Sequence, residues 1–285
     1  MRVVVHVGMP KAGSTAIQET LSAHRTEILR DYGIDYWQED DEVFPNHHSL
    51  YTCLERGDLA RAKEKMSAVL AHARNSGATT CFISNEMFIL LAANQASLSD
   101  FRTTLGHEGE FEFLVYLRDL RHFLRSYIVQ LLANGTFAIE DDGIASFYCH
   151  LIQNFYNSGT LCTILNYDTA VRRGDLAAHL VSFLSGKECS LRSRRVNITP
   201  PRPVAHYAIA GLVSRLSAIT NAVHVNEEKI NDLRIAMETA YDLDAGLQQG
   251  IRRYEDFLVP VLSEYIETSM RRLTLEQRAF LQAFQ

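Results

Sequence analysis

A β-branched run, Val3-Val4-Val5-His6-Val7, stops at Gly8, and Met9-Pro10-Lys11-Ala12-Gly13 follows before Ser14 and Thr15 open a helix-like segment. A strand, a glycine-bounded loop and a helix start in series can bind an anion. Successive backbone N–H groups and the positive end of the helix dipole face it. The second glycine lets the backbone approach the ligand closely, and Lys11 adds a cation. A Walker A box places its lysine directly after the second glycine, as G-x-x-x-x-G-K-[ST]. Here Ser14 holds that place and the lysine lies inside the loop. From there an ammonium reaches a leaving-group oxygen or a 5′-phosphate rather than a β/γ-phosphate pair. The same residues would also make an ordinary glycine turn.

Three further stretches carry chemistry. The β-prone run Thr79–Ser84 leads straight into Asn85-Glu86-Met87. A carboxylate just past the end of a parallel strand lies on the rim where α/β sheets bind ligands. Glu86 there is a candidate general base, or simply an acid favoured by a helix N-terminus. Arg118 ends a second apolar run, Phe111–Leu117, and Ser126 follows in the next helical pattern, about two turns on. A guanidinium fork and a hydroxyl so placed could converge on one phosphate; the alternative for Arg118 is a surface salt bridge to Asp119 or a neighbouring acid. In Pro45-Asn46-His47-His48-Ser49 the adjacent histidines cannot share one ligand from regular secondary structure. No third Cys or His stands at metal spacing nearby, so no zinc site is expected. His48 is a candidate base toward an acceptor sugar, against a plain polar loop.

Taken together these stretches resemble sulfotransferases that use 3′-phosphoadenosine 5′-phosphosulfate (PAPS). Pro10-Lys11-Ala12-Gly13-Ser14-Thr15 is similar to that family's 5′-phosphosulfate loop, P-K-[ST]-G-[ST]-[ST], with Ala12 lacking the hydroxyl. The strand–Ser–x–Glu order ending at Glu86 resembles the base-bearing segment of many bacterial and glycan sulfotransferases. Tyr116-Leu117-Arg118-Asp119-Leu120 through Ser126-Tyr127 resembles the 3′-phosphate segment, with Asp-Leu where Asn-Pro is usual. Tyr167-Asp168 after a strand, a helix ending in Phe183-Leu184-Ser185-Gly186, and the basic stretch Arg192–Thr199 complete an ordered likeness over residues 1–200.

The resemblance implies sulfuryl transfer from PAPS to a hydroxyl or amine of a glycan, glycolipid or small molecule, without a metal. Lys11 would neutralise charge on the leaving oxygen. Ala12, Gly13, Ser14 and Thr15 would hold the 5′-phosphate. Arg118 and Ser126 would hold the 3′-phosphate, with Arg194 or Arg195 closing over it, and Glu86 would take the acceptor proton. Competing readings are a magnesium-dependent P-loop kinase, with Glu86 organising the metal, and a non-catalytic nucleotide-binding scaffold on the same fold.

The elements that must position these residues follow from pattern. Strands near 2–7, 79–84, 111–117 and 160–165, each followed by helix, predict an α/β fold. The pattern argues a parallel sheet with helices on both faces, and the resemblance implies its three-layer, P-loop NTPase-like form. Helices are expected over 15–30, 58–75 and 144–156, with a short strand at Ile34–Trp37 and loop at Glu39–Glu42. Pro200-Pro201-Arg202-Pro203 marks a boundary. Domains of 1–200 (the core) and 201–285 (a helical C-terminal extension packed on it) are expected. That extension could cover the sheet, shape the acceptor pocket or form a homodimer contact. Tyr36, Trp37 and Tyr51 could stack on sugars or belong to the core. The net charge of −6 gives no support for nucleic-acid binding. Five cysteines without a C-x-x-C pair suit reduced thiols. No stretch is apolar enough for a signal peptide or a membrane span, so a cytoplasmic chain is expected.

Overall fold

The computed structural model describes residues 1–38, 45–106, 110–124, 126–127, 143–192 and 263–284. They fall in two compact units. The first comprises Met1–Asp119, Phe147–Val196 and Thr274–Gln285; the second comprises Leu120–Ser146 and Asn197–Leu273.

The first unit is built on a five-stranded, all-parallel sheet in the order β2-β3-β1-β4-β5. The strands are β1 (Arg2–His6), β2 (Ile34–Asp35), β3 (Thr80–Ser84), β4 (Phe111–Leu117) and β5 (Cys162–Asn166). Every residue of β3, all but the first of β4, and Val3–His6 of β1 are buried. A run of apolar residues without alternation is what a strand covered on both faces requires. β5, at the edge, is half-buried along its length.

Helices α1 (Ser14–Ala23), α2 (Arg25–Tyr32), α3 (His48–Glu55), α4 (Leu59–Asn75) and α5 (Gln95–Gly106) connect the first four strands, with a 3₁₀ helix at Glu86–Ala93. Then come α6 (Ile144–Tyr156), α7 (Tyr167–Arg172), α8 (Leu176–Ser185) and α9 (Leu275–Phe284). Parallel crossovers are right-handed almost without exception, so steps in opposite directions across the sheet run over opposite faces. The β1-to-β2 connection steps one way; β2 to β3 and β3 to β4 step the other. Accordingly α1 and α2 pack with α8, whereas α3, α4 and α5 pack with one another and the 3₁₀ helix. Asn154 of α6 donates to the Ala92 carbonyl at 2.8 Å, which joins it to the second group.

The expected strands stand where the pattern put them, within two residues. The single helix expected over 15–30 is two, broken at His24, whose N–H goes to the Thr20 carbonyl. The helix expected after Tyr167 is also two, α7 and α8, parted at Gly174 and restarted by Asp175, whose carboxylate accepts from Ala177 and Ala178 N–H. The Ile34–Trp37 strand is shorter than expected, only Ile34–Asp35. All five cysteines are free. The acidic run at Glu39–Glu42, Pro200–Pro203 and residues 204–262 lie outside the described residues. The last helix, α9, packs on β5, and Phe280 and Phe284 sit edge-on against Tyr156. In the second unit Phe123 stacks on Tyr127, and Arg121 pairs with Glu267. Among the described residues no helix is long and apolar enough to cross a membrane.

Candidate functional site

The sheet order reverses its winding at β1. The chain leaves β1 toward the β2 side, returns through β3, and goes on to β4 on the other side of β1. The crevice outside the carboxyl ends of the strands at such a point is where open α/β sheets take ligands. The C-terminal ends of β1, β3 and β4 carry the Gly8–Gly13 loop, Asn85-Glu86 and Arg118.

The loop has an unusual backbone. Lys11 stands at φ 62°, a left-handed conformation uncommon for a residue with a Cβ. Gly13, at φ 76°, is the N-cap of α1 and offers no side chain to cap it. The N–H groups of Ser14, Thr15 and Ala16 precede the first helical bond, Ile17 N–H to Gly13 O, and no acid occupies the first turn. Ser14 is 2% exposed and its Oγ has no partner. Ala12 differs from expectation: its N–H is taken inside the loop by the Met9 carbonyl at 3.1 Å. The cradle available to an anion is therefore the α1 start rather than residue 12.

Arg118 reaches across to this loop. Its Nη1 donates to the Lys11 carbonyl at 2.8 Å, its guanidinium lies 5.2 Å from the Tyr167 ring centroid, and its Nε is buried without a partner. The arginine thus clamps the residue that holds the strained φ and keeps donor capacity in reserve. Asp119 N–H is held by the Asp168 carboxylate at 2.7 Å, which fixes the turn after β4 to the start of α7.

Glu86 packs directly against the loop. A Cβ added to Gly8 would fall 2.8 Å from Glu86 Cα and 2.9 Å from Ser14 Oγ, so glycine is the residue that permits this approach. Burial pushes the Glu86 carboxyl above the ordinary glutamate range, and the Lys11 charge pulls it part of the way back. A carboxyl raised by burial, beside a lysine, at a strand end has the character of a tuned acid–base group.

Beneath Glu86 lies a buried polar group that sequence patterns did not indicate. His6 Nδ1 and Gln18 Nε2 both meet Ser84 Oγ, at 2.8 and 3.0 Å. Burial holds His6 neutral, with its pKa lowered to about 4. His47 is 3% exposed and lies against Ser84; its pKa is also lowered to about 4 by burial, although its contacts with the Ser84 and Trp37 backbone oppose the shift. Asn85 Oδ1 accepts from Met87 N–H at 2.8 Å and starts the 3₁₀ helix, while its Nδ2 is buried without a partner. His6 sits in an apolar strand and His47 beside a more conspicuous neighbour, so neither has a pattern that separates it from a filler residue.

Of the expected site residues, the structure brings Lys11, Gly13, Ser14, Glu86 and Arg118 together, with Ala12 buried and Thr15 half-buried beside them. His48 is exposed, the first residue of α3 rather than part of a loop. Ser126 is helical and belongs to the second unit. Arg194 and Arg195 lie outside the described residues. Tyr36 and Tyr51 are core residues, their hydroxyls held by the Pro45 carbonyl and by Glu55. Trp37 stacks on His72, with centroids 4.8 Å apart. No protein-family model, curated protein or solved structure matches the chain.

Proposed function

We propose that the chain is a sulfotransferase that moves a sulfuryl group from PAPS to a hydroxyl or amine of an acceptor, with a glycan or glycolipid as the favoured class. The fold is read as P-loop NTPase-like. The observation that carries this reading is the meeting, at the winding reversal of the sheet, of an uncapped helix N-terminus, a lysine inside the loop, a buried carboxyl and a clamped arginine. Two orphaned polar atoms fit a phosphate there: Ser14 Oγ at the start of α1 and Arg118 Nε.

PAPS when bound supplies an activated sulfuryl group and a bisphosphate leaving group. The remaining chemistry belongs to the chain. The N–H groups of Ser14 and Thr15, with their hydroxyls, hold the 5′-phosphate oxygens on the positive helix end. Lys11 sits against charge that grows on the bridging oxygen, where a fixed cation stabilises the transition state more than the ground state. Arg118 keeps Lys11 in its left-handed conformation and directs its remaining donors to the 3′-phosphate. Glu86 accepts the proton of the acceptor hydroxyl as that oxygen attacks; its raised pKa brings its basicity nearer the working pH.

The test is calorimetric titration with adenosine 3′,5′-bisphosphate, run beside ATP with magnesium. Metal-independent binding of the bisphosphate is expected. Lys11→Ala should weaken it by about tenfold or more, the scale of one charge-assisted bond, and Arg118→Ala should abolish it. Glu86→Gln should leave it intact while removing most turnover of PAPS. Preference for magnesium-ATP would move the chain to the kinase reading, and binding of neither would sink both.

A further inference from the structure

β2 is two residues long and stops at Asp35, which faces Cys81. β3 continues to Ser84, and among the described residues no strand lies beside it on that side. In a parallel ladder the N–H and C=O of one residue point to the same neighbour. Asn85 N–H is bonded to the His6 carbonyl of β1, so the N–H and C=O of Ser84 face the side that β2 has vacated. Left alone, both would be buried and unpaired, a state that backbone polar groups rarely hold.

His47 fills both vacancies by itself. Its backbone N–H donates to the Ser84 carbonyl at 3.0 Å, and its ring Nδ1 accepts from Ser84 N–H at 3.2 Å. The other ring nitrogen, Nε2, meets the Trp37 carbonyl at 3.1 Å. A carbonyl can only accept and a backbone N–H can only donate. Nε2 meets only the Trp37 carbonyl and so carries the proton; burial keeps the ring neutral, so Nδ1, although it also lies 3.4 Å from the Ser84 carbonyl, is the acceptor and stands where the carbonyl of a neighbouring strand would be.

We infer that His47 is a positioning residue for Glu86: it takes the place of a strand neighbour at Ser84 and fixes the end of β3 from which Glu86 is presented to the Lys11 loop. The reach is short. Glu86 is two residues past Ser84, and its backbone lies against Gly8 at a distance that leaves no room for a methyl group. A shift of β3's end would therefore move the carboxyl out of its buried seat beside Lys11. This inference rests on Glu86 being the working carboxyl of the proposed site; the exposed His48, expected as a base, takes no part in it.

The experiment compares three full-length variants by ¹³C NMR titration of the Glu86 carboxyl, assigned with Glu86→Gln, and by calorimetry with adenosine 3′,5′-bisphosphate. His47→Asn places an amide oxygen where Nδ1 was and can still accept from Ser84 N–H. His47→Gln keeps a donor toward Trp37 but offers no acceptor at that point, and His47→Ala offers neither. Expected is a Glu86 titration that falls toward the ordinary glutamate value in His47→Gln and His47→Ala and stays raised in His47→Asn. Bisphosphate affinity should be unchanged throughout. An unmoved titration in folded His47→Gln overturns the inference, as does an equal fall in His47→Asn, which would make the ring a packing element only. If the parent protein binds no bisphosphate, the proposed function fails, yet the contrast between His47→Asn and His47→Gln still decides the role of His47.

Discussion

In the proposed role, Glu86 meets two demands that pull against each other. A base has to be ionised to work, and a buried carboxylate costs free energy that Lys11 only partly returns. Its folded pKa is raised, so its contribution to stability is complete below the ordinary value and is lost as pH rises through the raised one. Glu86→Gln removes that cost. The variant should melt higher than the parent at neutral pH, and the gain should vanish below about pH 4.5; thermal unfolding followed across pH checks it. A gain that persists into acid would place the benefit in packing rather than charge. Gain of stability with loss of turnover is the usual signature of a residue kept for function. Sequence spacing pointed to Glu86 and Arg118 because strand-end positions are visible in a pattern. It pointed to His48 over His47 on no geometric ground, since burial of one of two adjacent histidines is decided by how α3 docks.

Among the elements, the β1–loop–α1 unit is where local backbone rules and the site coincide. Gly8, Lys11 and Gly13 all have positive φ, and that succession turns the chain and leaves the first turn of α1 open. Gly8→Ala places a methyl group against Glu86 Cα and Ser14 Oγ, the first of these on the backbone, where little can give way. A loss of about 1–3 kcal/mol is expected in urea unfolding, the usual cost of overpacking. A fall in the Glu86 carboxyl pKa should accompany it as the seat opens. Gly13→Ala meets the end of the Leu176 side chain and the Tyr167 ring instead. The strand–glycine–helix order was legible because glycine is the residue that such turns need. The Arg118 bond to the Lys11 carbonyl was not, because it joins residues that are distant in sequence.

At the scale of the molecule, the last helix belongs to the sheet's edge. α9, part of the first unit, buries Leu281 to 4% exposure, and Asn166 at the end of β5 reaches the Phe284 carbonyl at 3.3 Å. Asn166 also caps α7 through its Oδ1, which accepts from Thr169 N–H at 2.7 Å. One side chain therefore ties the final helix to the helix start that holds Asp119. Leu281→Ala should destabilise the sheet unit by about 2–5 kcal/mol, read as an earlier cooperative transition of the whole unit in denaturant. A separate low-stability transition confined to the C-terminus would show that α9 contributes nothing to the core.

The sequence by itself determined the parallel α/β class, the five strands (β2 only to within its length), the loop at Gly8–Gly13 and the strand-end positions of Glu86 and Arg118. These follow from local rules, since apolar runs, glycines and helix starts depend on near neighbours. Only the tertiary structure decided the strand order, and with it the reversal at β1 that sets three strand ends side by side. It also decided that Ala12 N–H closes the loop, that Arg118 holds Lys11 in a left-handed conformation, and that His47 completes the ladder of a strand cut short. Each of these is a hydrogen bond made or refused by burial, and burial is a property of the packed chain that no stretch of residues carries alone.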